Sequence, residues 1–265
     1  MCRHAAAVGP GIAIAEIMRD LPHSLLHQSY RARELLTGVV CADGFGIGWY
    51  EPDVRPEPGR YASPFPIWSD GNLASFGPLV RSPMILGAVR NATVAGRNDA
   101  ANCAPFASGR HLLSLNGHLE AFDEHWRDGF LRDLVAPARR PLVQGSTDGE
   151  LLFQAVLSAV DAHEGSAALA TAVQETLRNI LGHARETGLV AQVNVLASDG
   201  ESLVATRAGT EELQNSLYLL RDGEESPGST LVASEPLYDD PLWEPVPPDT
   251  VLVLRGGAPP VRLAV

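Results

Sequence analysis

Two consecutive helical patterns, DGELLFQAVLSAVDAH (148–163) and SAALATAVQETLRNILGHARE (166–186), limit the fold of this chain more than any other feature, because strand-like segments lie on both sides of them. Each pattern is apolar on one face and polar on the other, so each helix must lay its apolar face on a partner. After them come LVAQVNVLASDG, ESLVATRAG, SLYLLRDG, STLVASEP, TVLVLRGG and VRLAV, strand patterns punctuated by D-G and G-G turns. Before them, HAAAVG (4–9), MILGAVRNATV (84–94) and HLLSLNGHLE (111–120) also read as strands, and ADGFGIGWYE (42–51) as a loop running into a strand. Helices resting on sheets drawn from both ends of the chain predict an α+β layered sandwich.

Three further helices are expected: IAIAEIMRD (12–20), stopped near Leu21-Pro22; part of SLLHQSYRARELLTG (24–38), ending at Gly38; and FDEHWRDGFLRDLV (122–135). Prolines and glycines crowd residues 51–83, which predicts a long irregular excursion there. No repeat, low-complexity tract or domain boundary interrupts the chain, so one domain is expected.

Lys+Arg 20 against Asp+Glu 32 gives a formal charge of -12, which repels phosphate backbones and anionic membrane surfaces and argues against nucleic acid as a partner. The apolar run AAAVGPGIAIA (5–15) is broken by Gly9-Pro10-Gly11 and is followed by no cleavage signal, and no stretch has transmembrane length. A soluble, cytoplasmic protein is the expectation. The three cysteines form no CxxC pair, which argues against a disulfide framework and a zinc site, and Cys41 and Cys103 are expected as small buried residues. His23, His27, His111, His118, His125, His163 and His183 form no ligand-like set, so neither metal nor cofactor is expected.

Cys2 follows the initiator methionine. Removal of Met1 would leave a thiol and a free α-amine on one carbon. The thiolate is the nucleophilic form, and a thiol with its ordinary pKa of about 8.5 needs a base at neutral pH. An α-amine, with a pKa of about 7.7–8.0, can take that proton directly or through water.

MCRH at the start, DGFGIG (43–48), VRNATVAG (89–96), LNGHLE (115–120) and GSTDGE (145–150), in this order, resemble the motifs of the class II glutamine amidotransferases, which are N-terminal-nucleophile hydrolases. Among these, MCRH and SEPLYDDPLWEPVPPD (234–249) most resemble the single-domain γ-glutamyl hydrolases of ergothioneine biosynthesis, which extends the likeness over nearly the whole chain. The resemblance implies a four-layer αββα sandwich formed by residues 2–265 after loss of Met1. It implies Cys2 as nucleophile, with the side-chain amide of Asn116 and the backbone N–H of Gly117 as oxyanion hole. Arg90 would hold the α-carboxylate of a small-molecule γ-glutamyl substrate and Asp148 its α-ammonium, while Thr93, Asp43 and Gly44 would shape the pocket.

The residues also permit plainer readings. An N-G pair after an apolar run suits a hairpin turn, Arg90 suits a surface ion pair, and Asp148 suits a helix N-cap before ELLF. Arg3 and His4 flank the nucleophile, and strand alternation leaves open which of them faces the site. Phe45 where the family has Trp, Asn91 behind the arginine, and Ala5-Ala6 after MCRH depart from the family pattern and leave the leaving group undecided. By resemblance the substrate is γ-glutamyl-hercynylcysteine sulfoxide, with Trp49, Tyr50 and Trp68 as aromatic candidates for its trimethylammonium group. The rivals are a free-standing glutaminase, a hydrolase of other γ-glutamyl amides, and a binding module with a blocked Cys2. A homodimer is the default assembly.

Overall fold

The structure, a computed structural model, describes residues 2–92 and 99–265, so Thr93 lies outside the described residues. Among the described residues thirteen strands form two antiparallel sheets. The first comprises β1 (Arg3–Ala13), β2 (Phe45–Glu51), β3 (Arg55–Ser63), β4 (Arg81–Val89), β9 (Tyr218–Arg221), β10 (Thr230–Ala233) and β11 (Glu244–Pro245), in the order β11-β9-β10-β1-β4-β2-β3. The second comprises β5 (Phe106–Ser108), β6 (His111–Leu119), β7 (Ala191–Ser198), β8 (Leu203–Arg207), β12 (Thr250–Leu254) and β13 (Val261–Ala264), in the order β13-β12-β8-β7-β6-β5. The helices are α1 (Leu25–Arg31), α2 (Gly71–Phe76), α3 (Phe122–His125), α4 (Arg127–Gly129), α5 (Asp148–Val160) and α6 (Ala168–Thr187).

Three apolar cores stack these elements into layers. Leu113 and Leu115 of β6 pack with Phe153 of α5 and Leu177 of α6 on the outer face of the second sheet. Ala6, Leu86, Leu112, Leu196 and Leu252 fill the space between the sheets. Ala5, Ile47 and Ile85 meet Ile17, Met18 and Leu25 on the outer face of the first sheet. This is the αββα sandwich that the resemblance implied, with the two long helices where their patterns placed them.

The first expected helix is different. β1 runs on through Ile12 and Ala13, which pair with Ser82 and Arg81 of β4, and the helix is confined to residues 14–20, of which Glu16–Asp20 form a π-helical turn. β1 is buried on both faces, so its apolar run has no period that separates strand from helix. Gly9-Pro10-Gly11 is absorbed as a register shift between Val8 and Ile12, with Gly11 at φ +112.

Residues 51–83 are also more regular than their prolines predict. β3 lies at the sheet edge, where Pro56 and Pro58 cost no central ladder hydrogen bond. α2 then starts at an Asp70 cap that accepts the Leu73 N–H at 2.8 Å. The expected helix at 122–135 is helical but broken into α3, α4 and a π-helical turn at Phe130–Leu134.

Candidate active site

Side chains alternate along β1. His4 and Ala6 face the space between the sheets, whereas Arg3 and Ala5 face outward. Cys2 is half-buried, its Sγ 3.8 Å from the carbonyl of Asn91. It lines a cleft of about 380 Å³ together with Arg90, Gly117 and Asp148. Four separate segments therefore contribute sequence-predicted residues to one concave surface.

Arg90 follows the last residue of β4, which pairs with the first residue of β1 in the register Arg3↔Val89. Its main chain is clamped to the neighbouring loop: the Arg90 N–H donates to Gly44 at 2.8 Å and its carbonyl accepts the Asp43 N–H at 3.0 Å. The guanidinium donates to the Asp43 carbonyl at 3.2 Å, and the Asp43 carboxylate accepts the Ala92 N–H at 2.8 Å. Asp43 and Gly44 are not among the cleft-lining residues, and their contacts hold Arg90 and the chain after it. Gly44 has φ +116, and a Cβ there would stand 2.5 Å from Cys103 Sγ, so glycine is required.

Asn116 and Gly117 sit within β6, opposite Asn194 and Val193 of β7, and not in a hairpin turn. Gly117 reaches the cleft, and a Cβ on it would strike the Gln192 carbonyl oxygen. The Asn116 carboxamide lies on the opposite face of β6, in the space between the sheets that His4 of β1 also faces; it is fully buried, with Nδ2 3.1 Å from Ser234 Oγ, and Asn116 is not among the cleft-lining residues.

Asp148 is the first residue of α5, and its neighbour Thr147 is the N-cap, its hydroxyl accepting the Glu150 N–H. The Asp148 carboxylate accepts the N–H groups of Leu119 at 3.1 Å and Gly149 at 2.8 Å. Burial pushes its pKa up, and these two donors oppose that rise.

On the outer face of β1 the Arg3 guanidinium is fully buried. It lies 3.7 Å from Glu235 and donates to the Glu34 carbonyl at 3.2 Å. Glu235 also meets His23 at 2.7 Å and accepts the N–H groups of Arg33 and Glu34. Burial alone would raise the Glu235 pKa, but the His23 hydrogen bond, the Arg33 N–H and the Arg3 charge bring it below the usual carboxylate range. Burial, reinforced by Arg3, holds His4 down at about 3, so His4 is neutral.

Ser234 and Glu235 therefore brace both faces of β1, the strand that follows Cys2, a role sequence reasoning missed although SEP was part of the resemblance. The signal was a polar pair closing the apolar strand STLVA, which by itself reads as a strand end. Cys41 and Cys103 are buried as expected, and burial pushes their thiols up to about 12 and about 11.

The aromatic candidates need correction. Tyr50 is buried, its hydroxyl oxygen within hydrogen-bond distance of the carbonyls of Arg110 at 2.9 Å and Ser198 at 3.1 Å, one of which takes its single proton. Trp49 packs on Phe76, Trp68 is exposed beside Tyr30, and none of the three lines the cleft. Phe122, Glu120, Asp123 and Glu124 line it instead. Among the described residues no group of three His, Cys, Asp or Glu could hold a metal ion, and no helix is long and apolar enough to cross a membrane.

The sandwich, with a strand-initial cysteine opening onto a cleft beside a buried arginine, defines a molecule built like an N-terminal-nucleophile amidohydrolase. Residues 16–264 match the family of class II glutamine amidotransferases, and the chain belongs to that family. It is 32% identical over 247 residues to a γ-glutamyl-hercynylcysteine sulfoxide hydrolase of Mycolicibacterium smegmatis, covering 93% of this chain and 92% of that one. A hydrolase of the same name from Mycobacterium tuberculosis is 31% identical, with 93% and 90% covered. Among solved structures, a glutamine aminotransferase class-II domain protein from Silicibacter pomeroyi superposes with a TM-score of 0.68 at 26% identity, covering 99% of both chains. The glutamine phosphoribosylpyrophosphate amidotransferase of B. subtilis shares the fold at 17% identity and a TM-score of 0.66, this chain spanning 49% of it.

Proposed function

We propose that residues 2–265, freed of Met1, act as a single-domain hydrolase of γ-glutamyl amides, with γ-glutamyl-hercynylcysteine sulfoxide as substrate. The observation that carries this reading is the meeting of Cys2, Arg90, Gly117 and Asp148 in one cleft. The Arg90 fork suits a bidentate grip on an α-carboxylate. Asp148 offers a carboxylate to the α-ammonium, and the two ends together aim the side-chain carbonyl at Cys2.

In this mechanism the neutral α-amine of Cys2 takes the thiol proton and Sγ adds to the γ-carbonyl carbon. The oxygen becomes an oxyanion, met by the Asn116 amide and the Gly117 N–H, a stabilisation worth about 3–4 kcal/mol per donor. The C–N bond breaks as the departing nitrogen takes the proton back. Water then adds to the thioester, releasing glutamate and restoring the thiol.

The identity of the curated relatives supports hercynylcysteine sulfoxide as the released amine. So does the cleft wall, where Glu120, Asp123 and Glu124 supply negative charge and Phe122 a ring face for a trimethylammonium group. The test is glutamate release from γ-glutamyl-hercynylcysteine sulfoxide, glutamine and glutathione, with Cys2→Ala as control. Preference for the first substrate, lost at least about 1000-fold in Cys2→Ala, is the expected result. Preference for glutamine would move the reading to an ammonia-releasing glutaminase, and release that survives Cys2→Ala would remove the thioester mechanism.

A further inference from the structure

Ser234 follows β10 directly, and its hydroxyl joins the two sheets behind the cleft. Oγ accepts the His4 backbone N–H at 3.0 Å, two residues beyond Cys2, and lies 3.1 Å from Nδ2 of Asn116. The main chain strengthens the junction. The Ser234 N–H donates to the His4 carbonyl at 2.9 Å, and the Ser216 hydroxyl donates to the Ser234 carbonyl at 2.7 Å. Asn116, Ser234 and His4 are all fully buried.

A hydroxyl carries one proton and two lone pairs, and a carboxamide carries two N–H donors and one carbonyl. With Nδ2 turned toward Ser234, the hydroxyl accepts two N–H groups while its own proton meets no acceptor among the described residues. The Asn116 Oδ1, also buried, meets no donor. Orphaned buried groups of this kind are costly, and the nitrogen and oxygen of a carboxamide occupy nearly the same space. Turning the amide over brings Oδ1 beside Oγ, pairs the hydroxyl proton with Oδ1, keeps the His4 bond and moves no backbone atom, and it leaves the two amide N–H groups without a partner among the described residues.

We propose that the turned amide is the working orientation. Ser234 is then a positioning residue: its hydroxyl holds the Asn116 carbonyl, so that the Asn116 N–H groups are left for the oxyanion formed when Cys2 attacks. This rests on the reading of Asn116 as an oxyanion donor and adds the group that sets which end of the amide the reaction meets.

Kinetics on the full-length, Met-processed enzyme test it. Ser234→Ala is expected to lower kcat about 10- to 100-fold with KM within about twofold, and Ser234→Thr, which keeps the hydroxyl, to recover most of it. Alkylation of Cys2 by iodoacetamide forms no oxyanion, so its rate in Ser234→Ala should stay within about twofold of wild type. In an Asn116→Ala background, Ser234→Ala should cost nothing further. Wild-type kcat in Ser234→Ala, a loss that adds in full to that of Asn116→Ala, or an alkylation rate that falls with kcat would each overturn the proposal. The last would mean that Ser234 acts on Cys2 through His4. A wild-type enzyme that releases no glutamate would defeat the functional reading instead. Neutron diffraction on deuterated protein then decides the orientation alone: a deuteron on Ser234 Oγ directed at Asn116 supports it, and a deuterated amide nitrogen there overturns it.

Discussion

α5 and α6 cover the second sheet with regular helices of 13 and 20 residues and bury Leu151, Phe153, Leu177 and Ile180 against it. The first sheet is covered by two short helices, α1 of seven residues and α2 of six, a π-helical turn and loops, and there the fully buried Arg3 and Glu235 sit with His23. The helical side excludes water through many interchangeable apolar contacts. The polar side fixes positions, because Glu235 simultaneously holds Arg3, next to Cys2, and the backbone at Arg33 and Glu34. Stability and placement are thus divided between the two outer layers, and β1, the strand that follows Cys2, depends on the less regular one.

Two substitutions can break this comparison. Glu235→Gln leaves the buried Arg3 charge uncompensated, with an expected cost of about 3–5 kcal/mol in urea unfolding together with a fall in kcat as the start of β1 loosens. Leu177→Ala in α6 opens a cavity and is expected to cost about 2–5 kcal/mol, yet to leave kcat unchanged well below its lowered melting temperature. If Leu177→Ala slows turnover as much as Glu235→Gln does, placement is not confined to the polar layer.

His4 sharpens the comparison through pH. Its folded pKa of about 3 lies below the ordinary 6.5, so between those values the unfolded chain binds a proton that the folded protein refuses. Its contribution is complete above pH 6.5 and is lost as pH falls toward 3, a decline of about 2 kcal/mol between neutral pH and pH 5. Stability measured across that range should flatten in His4→Phe. An unchanged slope would show that His4 is not the group taking up the proton.

The long helices, the strand-rich last third and four of the residues that line the cleft, Cys2, Arg90, Gly117 and Asp148, were legible because each depends on local pattern or on a motif tied to one chemistry, whereas Glu120, Phe122, Asp123 and Glu124 carried no such signal. α5 and α6 declare themselves by period, and Arg90, Gly117 and Asp148 by their place in ordered motifs. β1 beyond Val8 was not legible, because a strand buried on both faces carries no alternation. β3 was hidden by prolines that only an edge position excuses. Ser234 and Glu235 act across more than 200 residues of sequence on His4 and Arg3, and nothing within a local window predicts such pairings.

The smallest expected effect separates the two sides at the cleft mouth. Phe122 precedes the second sheet's helices and lines the cleft, whereas Trp68 lies exposed on the first sheet's side, away from it. If a ring face meets the trimethylammonium of the leaving group, Phe122→Ala should raise KM for γ-glutamyl-hercynylcysteine sulfoxide about 2- to 5-fold, matching a cation–π contact of about 0.5–1 kcal/mol. KM for glutamine, which carries no such cation, should not move, and Trp68→Ala should change neither value. Equal shifts for both substrates in Phe122→Ala would mean that the ring shapes the glutamyl end of the cleft, and recognition of the cation would then fall to the carboxylates of Glu120, Asp123 and Glu124 alone.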